Sequence, residues 1–160
     1  MKKEDTFREQ LKHILASTIR AISASDLNKL KKSEKISNKY EFLDIEKKLS
    51  KEEFINLRAR ADTEALKLKF SNEKIFKNFL PKSTNSKNLY EISEKIRYQF
   101  LGDKMLKGIS NNLKYHYENK ILKKKIDKGF NKKEDINVTE AFELYMLKEF
   151  FNLNLNKDSQ

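Results

Sequence analysis

The sequence predicts an all-α protein, an irregular helical bundle of about five to six helices around a long central helix. Three observations carry this. Only three Gly and one Pro occur in 160 residues, too few for the tight turns that many short strands need. Charged residues reach 37% against 38% apolar, a balance that suits exposed helices over a core of Phe, Tyr, Leu and Ile. The third observation is a period. Between Asn88 and Asn119, Leu89, Ile92, Ile96 and Phe100 recur at spacings of three and four, and Met105, Ile109, Leu113 and Tyr117 resume that spacing after a small offset. Such spacing lines one face of a helix. Gly102 and Gly108 interrupt it, and each costs about 1 kcal/mol against Ala in a helix interior. They are read as structural glycines that mark a break or kink near Gly102 or the close approach of a second helix, or as a bare patch where a partner docks, so the central helix is expected to be one long or broken helix.

The first helix is predicted over Thr6 to Ser23. Thr6 and Glu9 have the spacing of a capping box, and Phe7, Leu11, Ile14, Leu15, Ile19 and Ile22 form the apolar stripe. His13 lies beside the stripe with no metal-ligand neighbour at helical spacing, which fits a surface residue. Ala24 to Leu49 reads as a long polar connection, with Tyr40, Phe42 and Ile45 returning to the core. Its Lys29, Lys31, Lys32 and Lys35 lack the interleaved aromatics of a single-strand binding platform, so a solvated loop is the simpler reading.

The second helix is predicted over Ser50 to Phe70. Ser50 and Glu53 form the clearest capping box, and Phe54, Leu57, Ala61, Ala65 and Leu68 form a narrow stripe. Ala61 and Ala65 allow another helix to approach closely. Arg58 and Asp62 stand one turn apart, as an ordinary helix pair does. A short helix follows, capped by Ser71, anchored by Ile75, Phe76 and Phe79 and ended before Pro81. The segment PKSTNSKN is a polar turn into the central helix. Beyond Tyr117 one more helical turn is expected around Ile121 and Leu122, with Gly129 as a stop. The last helix runs from Asn137 to Asn152, with Asn137 and Glu140 at its start. It is apolar on two faces, one traced by Val138, Ala141, Phe142, Tyr145 and Glu149 and the other by Leu144, Leu147, Phe150 and Phe151. A helix of that kind is deeply buried or has a partner. One helical domain is therefore expected over residues 1–152, with 153–160 as a disordered tail.

Composition narrows the function. There is no Cys, which excludes disulfides, thiolate metal sites and cysteine nucleophiles. No apolar run approaches the ~20 residues of a membrane span, and MKKEDTFREQ lacks the apolar core of a secretory signal. A cytoplasmic protein is expected. The formal net charge is +11, which fits nucleic acid, an anionic membrane or an acidic partner, or simply a solvated basic surface. No glycine loop for phosphates and no HExxH motif occur, and His13 and His116 are the two histidines. The residues predict no catalytic, cofactor-binding or metal-ligating group.

RARADTEALKLKF, Arg58 to Phe70, resembles the motif R-G-x-A-D-x-x-A-L-R-L in the N-terminal domain of the CobT subunit of aerobic cobaltochelatase. The likeness runs through Arg58, Ala61, Asp62, Ala65, Leu66 and Leu68, with Ala59 where that family usually has Gly. A second likeness lies in the central helix. Glu94, Arg97, Gly102, Gly108, Asn112 and Leu113 stand where the family reads E-Q-x-R-x-E-x-x-G-x-x-x-x-x-G-x-x-x-N-L, with Lys95 in place of Gln and Gln99 in place of the second acid. Phe7-Arg8 and Arg20-Ala21-Ile22 are similar to the family's opening helix, and Glu140-Ala141 more weakly to its last. Residues 24–49 do not align, and the family's proline-rich segment is missing there.

The resemblance implies a non-catalytic interaction and assembly domain of the ATP-dependent complex that inserts cobalt into hydrogenobyrinic acid a,c-diamide in cobalamin biosynthesis. The complex belongs to the ligase class and uses ATP, Mg and Co, none of them bound by this domain. The AAA+ ATPase subunit CobS and the large subunit CobN are the implied partners. Full-length members continue into an acidic spacer and a metal-binding von Willebrand A-type domain, so this chain resembles the N-terminal domain alone. Arg58, Asp62, Glu94, Arg97 and Asn112 are then candidates either for a partner interface or for an internal polar network between the second and central helices. The alternative from another class is a basic helical nucleic-acid-binding module, whose affinity would fall steeply with salt.

Overall fold

The computed structural model of the chain describes residues 2–23, 49–128 and 137–153. Among them lie six helices and no strand: α1 (Lys2–Ser23), α2 (Lys51–Phe70), α3 (Glu73–Asn78), α4 (Thr84–Met105), α5 (Lys107–Lys128) and α6 (Val138–Phe151). The fold is all-α. The expectations for the polar connection, for its aromatics and lysines, for Gly129 and for the end of the tail fall on residues outside those described.

The chain divides into two compact units, Met1–Lys69 and Phe70–Gln160. In the first, α1 packs against α2. Leu11, Leu15, Ala16 and Ile19 of α1 meet Leu57, Ala61 and Ala65 of α2, with Ile22 and Leu49 at the margin. Ala61 and Ala65 both lie inside this cluster. Ser50 opens α2 with both halves of its box formed. The Glu53 amide donates to the Ser50 hydroxyl at 3.1 Å, and the Ser50 amide donates to Glu53 Oε2 at 2.9 Å. Each bond satisfies an amide that a helix start leaves without a partner.

Two readings of this unit are corrected. The chain is already helical from Lys2, so Thr6 sits inside α1 and cannot cap it. The buried stripe is also narrower than the sequence suggests. Phe7 and Ile14 are exposed on α1, as are Phe54 and Leu68 on α2. Phe7 and Ile14 lie at the edge of the buried arc of α1, whereas Phe54 and Leu68 lie near the two ends of α2. Conversely Ala59, Asp62 and Leu66 are buried away from that stripe, which widens the covered part of α2 to roughly half its circumference at 100° per residue.

In the second unit α3 is a short prelude. Asn72, not Ser71, caps it, and its Oδ1 accepts from the Lys74 and Ile75 amides at 3.1 and 3.2 Å. Of the expected anchors only Phe76 packs, against Tyr90 with ring centroids 5.1 Å apart, while Ile75 and Phe79 stay exposed. Six residues give a helix too short to bury more than one side. Ser83 caps α4 by accepting from the Ser86 amide at 3.2 Å, so the helix starts inside the segment read as a turn.

The long central helix is in fact two helices. α4 runs unbroken through Gly102, which is buried, and stops at Met105. Leu106 is extended, with φ −141° and ψ 119°. It serves both helices at once. Its amide donates to the Gly102 carbonyl at 3.2 Å, and its own carbonyl accepts from the Ile109 and Ser110 amides at 3.0 and 3.2 Å. Then α5 folds back on α4. The Tyr117 hydroxyl donates to Gln99 Oε1, although the two residues would lie about 27 Å apart along a straight helix. Doubling back is favoured because a straight rod would expose both halves of the stripe. Folded, Ile96 of α4 and Ile109, Leu113 and Tyr117 of α5 are all buried.

α6 lies against the same pair. Phe151 packs against Tyr117 with the rings tilted by 44°, and Phe100 meets Phe150 and Phe151 edge-on at 5.0 and 6.4 Å. Asn137 caps α6 by accepting from the Glu140 amide at 2.9 Å. Asn152 ends it in the left-handed region (φ 51°), which a short amide side chain tolerates, and Leu153 turns back to be buried. Of the two apolar faces one is covered, at Leu147 and Phe151, while Val138 and Tyr145 on the other are exposed.

Gly108, in the first turn of α5, has nothing within 4 Å of where a Cβ would stand. Gly108→Ala is therefore expected to stabilise the protein by about 0.5–1 kcal/mol, because alanine has less backbone freedom to lose on folding. A thermal melt of the variant checks it, and a lower midpoint would show that the glycine is needed locally.

Candidate functional site

The polar residues singled out from the sequence fall into two groups, one in each unit. In the second unit Glu94 and Arg97, one turn apart on α4, form a fork. Arg97 Nε donates to Glu94 Oε2 at 2.7 Å and Nη2 to Oε1 at 2.8 Å. The same Nη2 donates to the Phe70 carbonyl at 2.7 Å. Phe70 ends a helix, and the last carbonyls of a helix lack intrahelical donors. The cap shift at α3 matters here. With Asn72 at the cap, the Ser71 hydroxyl is left to donate to Glu94 Oε1 at 2.8 Å. The Arg97 hydrogen bonds hold the Glu94 carboxyl below its ordinary value, the Ser71 hydroxyl adds to this, and partial burial opposes it. In turn the bond to Glu94 raises Arg97. Charge-assisted, two-pronged contacts of this kind fix geometry as well as energy.

The sign of the pH effect follows. A carboxylate whose folded value is depressed stabilises the fold above its ordinary 4.5, and that contribution is lost as the pH falls through the depressed value. Glu94→Gln is therefore expected to flatten the acid limb of a stability–pH profile from the ordinary 4.5 downward. An unchanged limb would mean that other carboxylates dominate.

In the first unit Arg58 and Asp62 face each other across one turn of α2. Arg58 Nε lies 3.5 Å from Asp62 Oδ1, an ion pair rather than a close hydrogen bond. The partners differ in exposure. Asp62 is wholly buried, while the Arg58 side chain is 34% exposed, so one end of the pair reaches water. Asn112 stands half-buried on α5, next to the buried Leu113. Gly102 lies inside α4, and Gly108 is exposed at the start of α5. The structure thus pairs Glu94 with Arg97 and Arg58 with Asp62.

One polar group escapes the sequence reading. Gln99 and Tyr117 are both fully buried and hydrogen-bonded to each other, with Lys95 and Lys120 ammonium groups about 6 Å from the Tyr117 ring. Lys120 also pairs with Glu143 of α6 at 2.6 Å. Burial pushes the Tyr117 phenol far above its ordinary value. The available signal was Gln99 itself, a neutral amide where the family pattern carries an acid, at a position that a folded-back α5 reaches.

Residues 5–152 match the family model described as cobalamin biosynthesis protein CobT. The chain belongs to the CobT family. The match spans both units and takes in all six helices, and it gives this CobT-family chain a role in cobalamin biosynthesis. No curated protein and no solved structure matches it. No described helix is long and apolar enough to cross a membrane.

Proposed function

We propose that this CobT-family chain is a non-catalytic assembly domain of the cobaltochelatase complex, holding the AAA+ ATPase subunit CobS and the large subunit CobN together during cobalt insertion. In this reading ATP and Mg²⁺ belong to the ATPase partner, and Co²⁺ is the substrate of the complex. The observation that carries the reading is where the charged residues of the family motifs go. Arg97 is committed to Glu94 and the Phe70 carbonyl, and Arg58 is committed to Asp62. Arginines spent in this way brace helix ends and helix turns, and they support a rigid surface for a partner. The uncovered face of α6, with Val138 and Tyr145 in the open, adds apolar area of the kind that interfaces use.

A pull-down of this chain with CobS and with CobN at moderate salt, with and without ATP, tests the proposal. Retention of either subunit is the expected result. Loss of both, from a chain with a normal melting curve, overturns it. Nucleic acid carried through the same preparation and released steeply by salt would point instead to a basic nucleic-acid-binding module.

A further inference from the structure

The corner between α4 and α5 combines three features that occur together nowhere else among the described exposed apolar groups. Leu101 and Met105, one turn apart at the end of α4, are 38% and 39% exposed, and Leu106 at the joint is 47% exposed. Lys104 and Lys107 are exposed within the same short stretch, and Lys104 Nζ lies 4.3 Å from the centroid of the Phe100 ring. The nearest acid in the sequence, Asp103, is half-buried with its Oδ1 shielded, and the two exposed lysines outnumber it. Gly108 follows directly and leaves the space beside the corner open.

At two other exposed apolar groups, solvent-exposed acids accompany the lysines: Glu73 pairs with Lys77 at 2.6 Å beside Ile75, and exposed Glu149 adjoins Lys148 on the helix that carries Val138 and Tyr145.

We infer that the α4–α5 corner docks an acidic amphipathic helix of another protein subunit. Apolar side chains of that helix sit on Leu101, Met105 and Leu106, its carboxylates meet Lys104 and Lys107, and its backbone approaches over Gly108. Charge complementarity selects this occupant. A neutral apolar helix would offer no counter-charge to the two ammonium groups at the rim, and a basic one would be repelled. The inference rests on the assembly reading above and names the surface that the reading needs.

A photo-crosslinking amino acid at position 106, with a second at exposed Phe79 as control, tests it in the full complex reconstituted with CobS and CobN. The expected result is an adduct from position 106 within a carboxylate-rich helix of one of those subunits. Lys104→Glu with Lys107→Glu should weaken that subunit's binding roughly tenfold or more while the melting curve stays in place. If the complex forms but position 106 gives no such adduct, or crosslinks a second copy of this chain, and the double variant binds normally, the inference falls while the assembly reading stands. If the unmodified chain retains neither subunit, both fall.

Discussion

Tyr117→Ala is expected to destabilise the second unit by about 3–5 kcal/mol, the range for removing a large buried ring. The residue is fully buried, its ring packs against Phe151, and its hydroxyl is bonded to Gln99. All three packed helices meet there, since Gln99 lies on α4, Tyr117 on α5 and Phe151 on α6. Tyr117→Phe separates the two contributions. It keeps the ring and removes the bond, so about 0.5–1.5 kcal/mol should be lost, the net worth of a typical hydrogen bond. Chemical denaturation followed by circular dichroism reads both variants, and equal effects would mean that the ring contributes little beyond its hydroxyl. A second signature lies at high pH. A phenol whose folded value is raised contributes fully below its ordinary 10.0, and that stability declines as the pH rises through and above this value, because the unfolded chain loses the proton first. Tyr117→Phe should remove that part of the alkaline decline.

Arg58→Ala should have the next largest effect, about 1–3 kcal/mol. Removing one partner of a buried pair leaves the other charge in a poor environment, which costs ~3–5 kcal/mol when both are fully buried. Here solvent reaches the arginine, and the expected loss is reduced accordingly. Asp62 is wholly buried, so Arg58→Ala combined with Asp62→Asn should recover part of the loss by removing the buried carboxylate charge. Recovery in the double variant marks the pair as a brace. An unaltered melting curve in Arg58→Ala, combined with failed complex formation, would mark Arg58 as a contact with a partner.

Much of this architecture is legible in the sequence where the signal is local. The Ser50 box and the Asn137 cap depend on residues three apart and form as read. The Ala61 and Ala65 seam is a local pattern too. What the sequence hides is set by distant partners. Thr6 has the chemistry of a cap, but the helix extends past it. Ser71 yields the cap to Asn72 because both are competent, and Ser71 has Glu94 to bond. The stripe of the central segment is continuous in the sequence whether the helix is straight or folded on itself. Its buried partner Gln99 can be recognised only once the fold-back is known. Among the candidate site residues the pairs Glu94–Arg97 and Arg58–Asp62 could be read from helical spacing, whereas the Phe70 carbonyl could not.

The one-residue joint has a consequence for how such a chain can vary. Two helices of 22 residues each meet at Leu106, and its amide and carbonyl are both in use. There is no slack. One inserted residue carried into α5 would turn it by about 100° and advance it by about 1.5 Å, moving Tyr117 off Gln99 and Leu113 out of the core. Related chains can change the side chains at this corner, and so change which partner it attracts, but its length is locked. An insertion or deletion there should be rejected even though the corner is exposed.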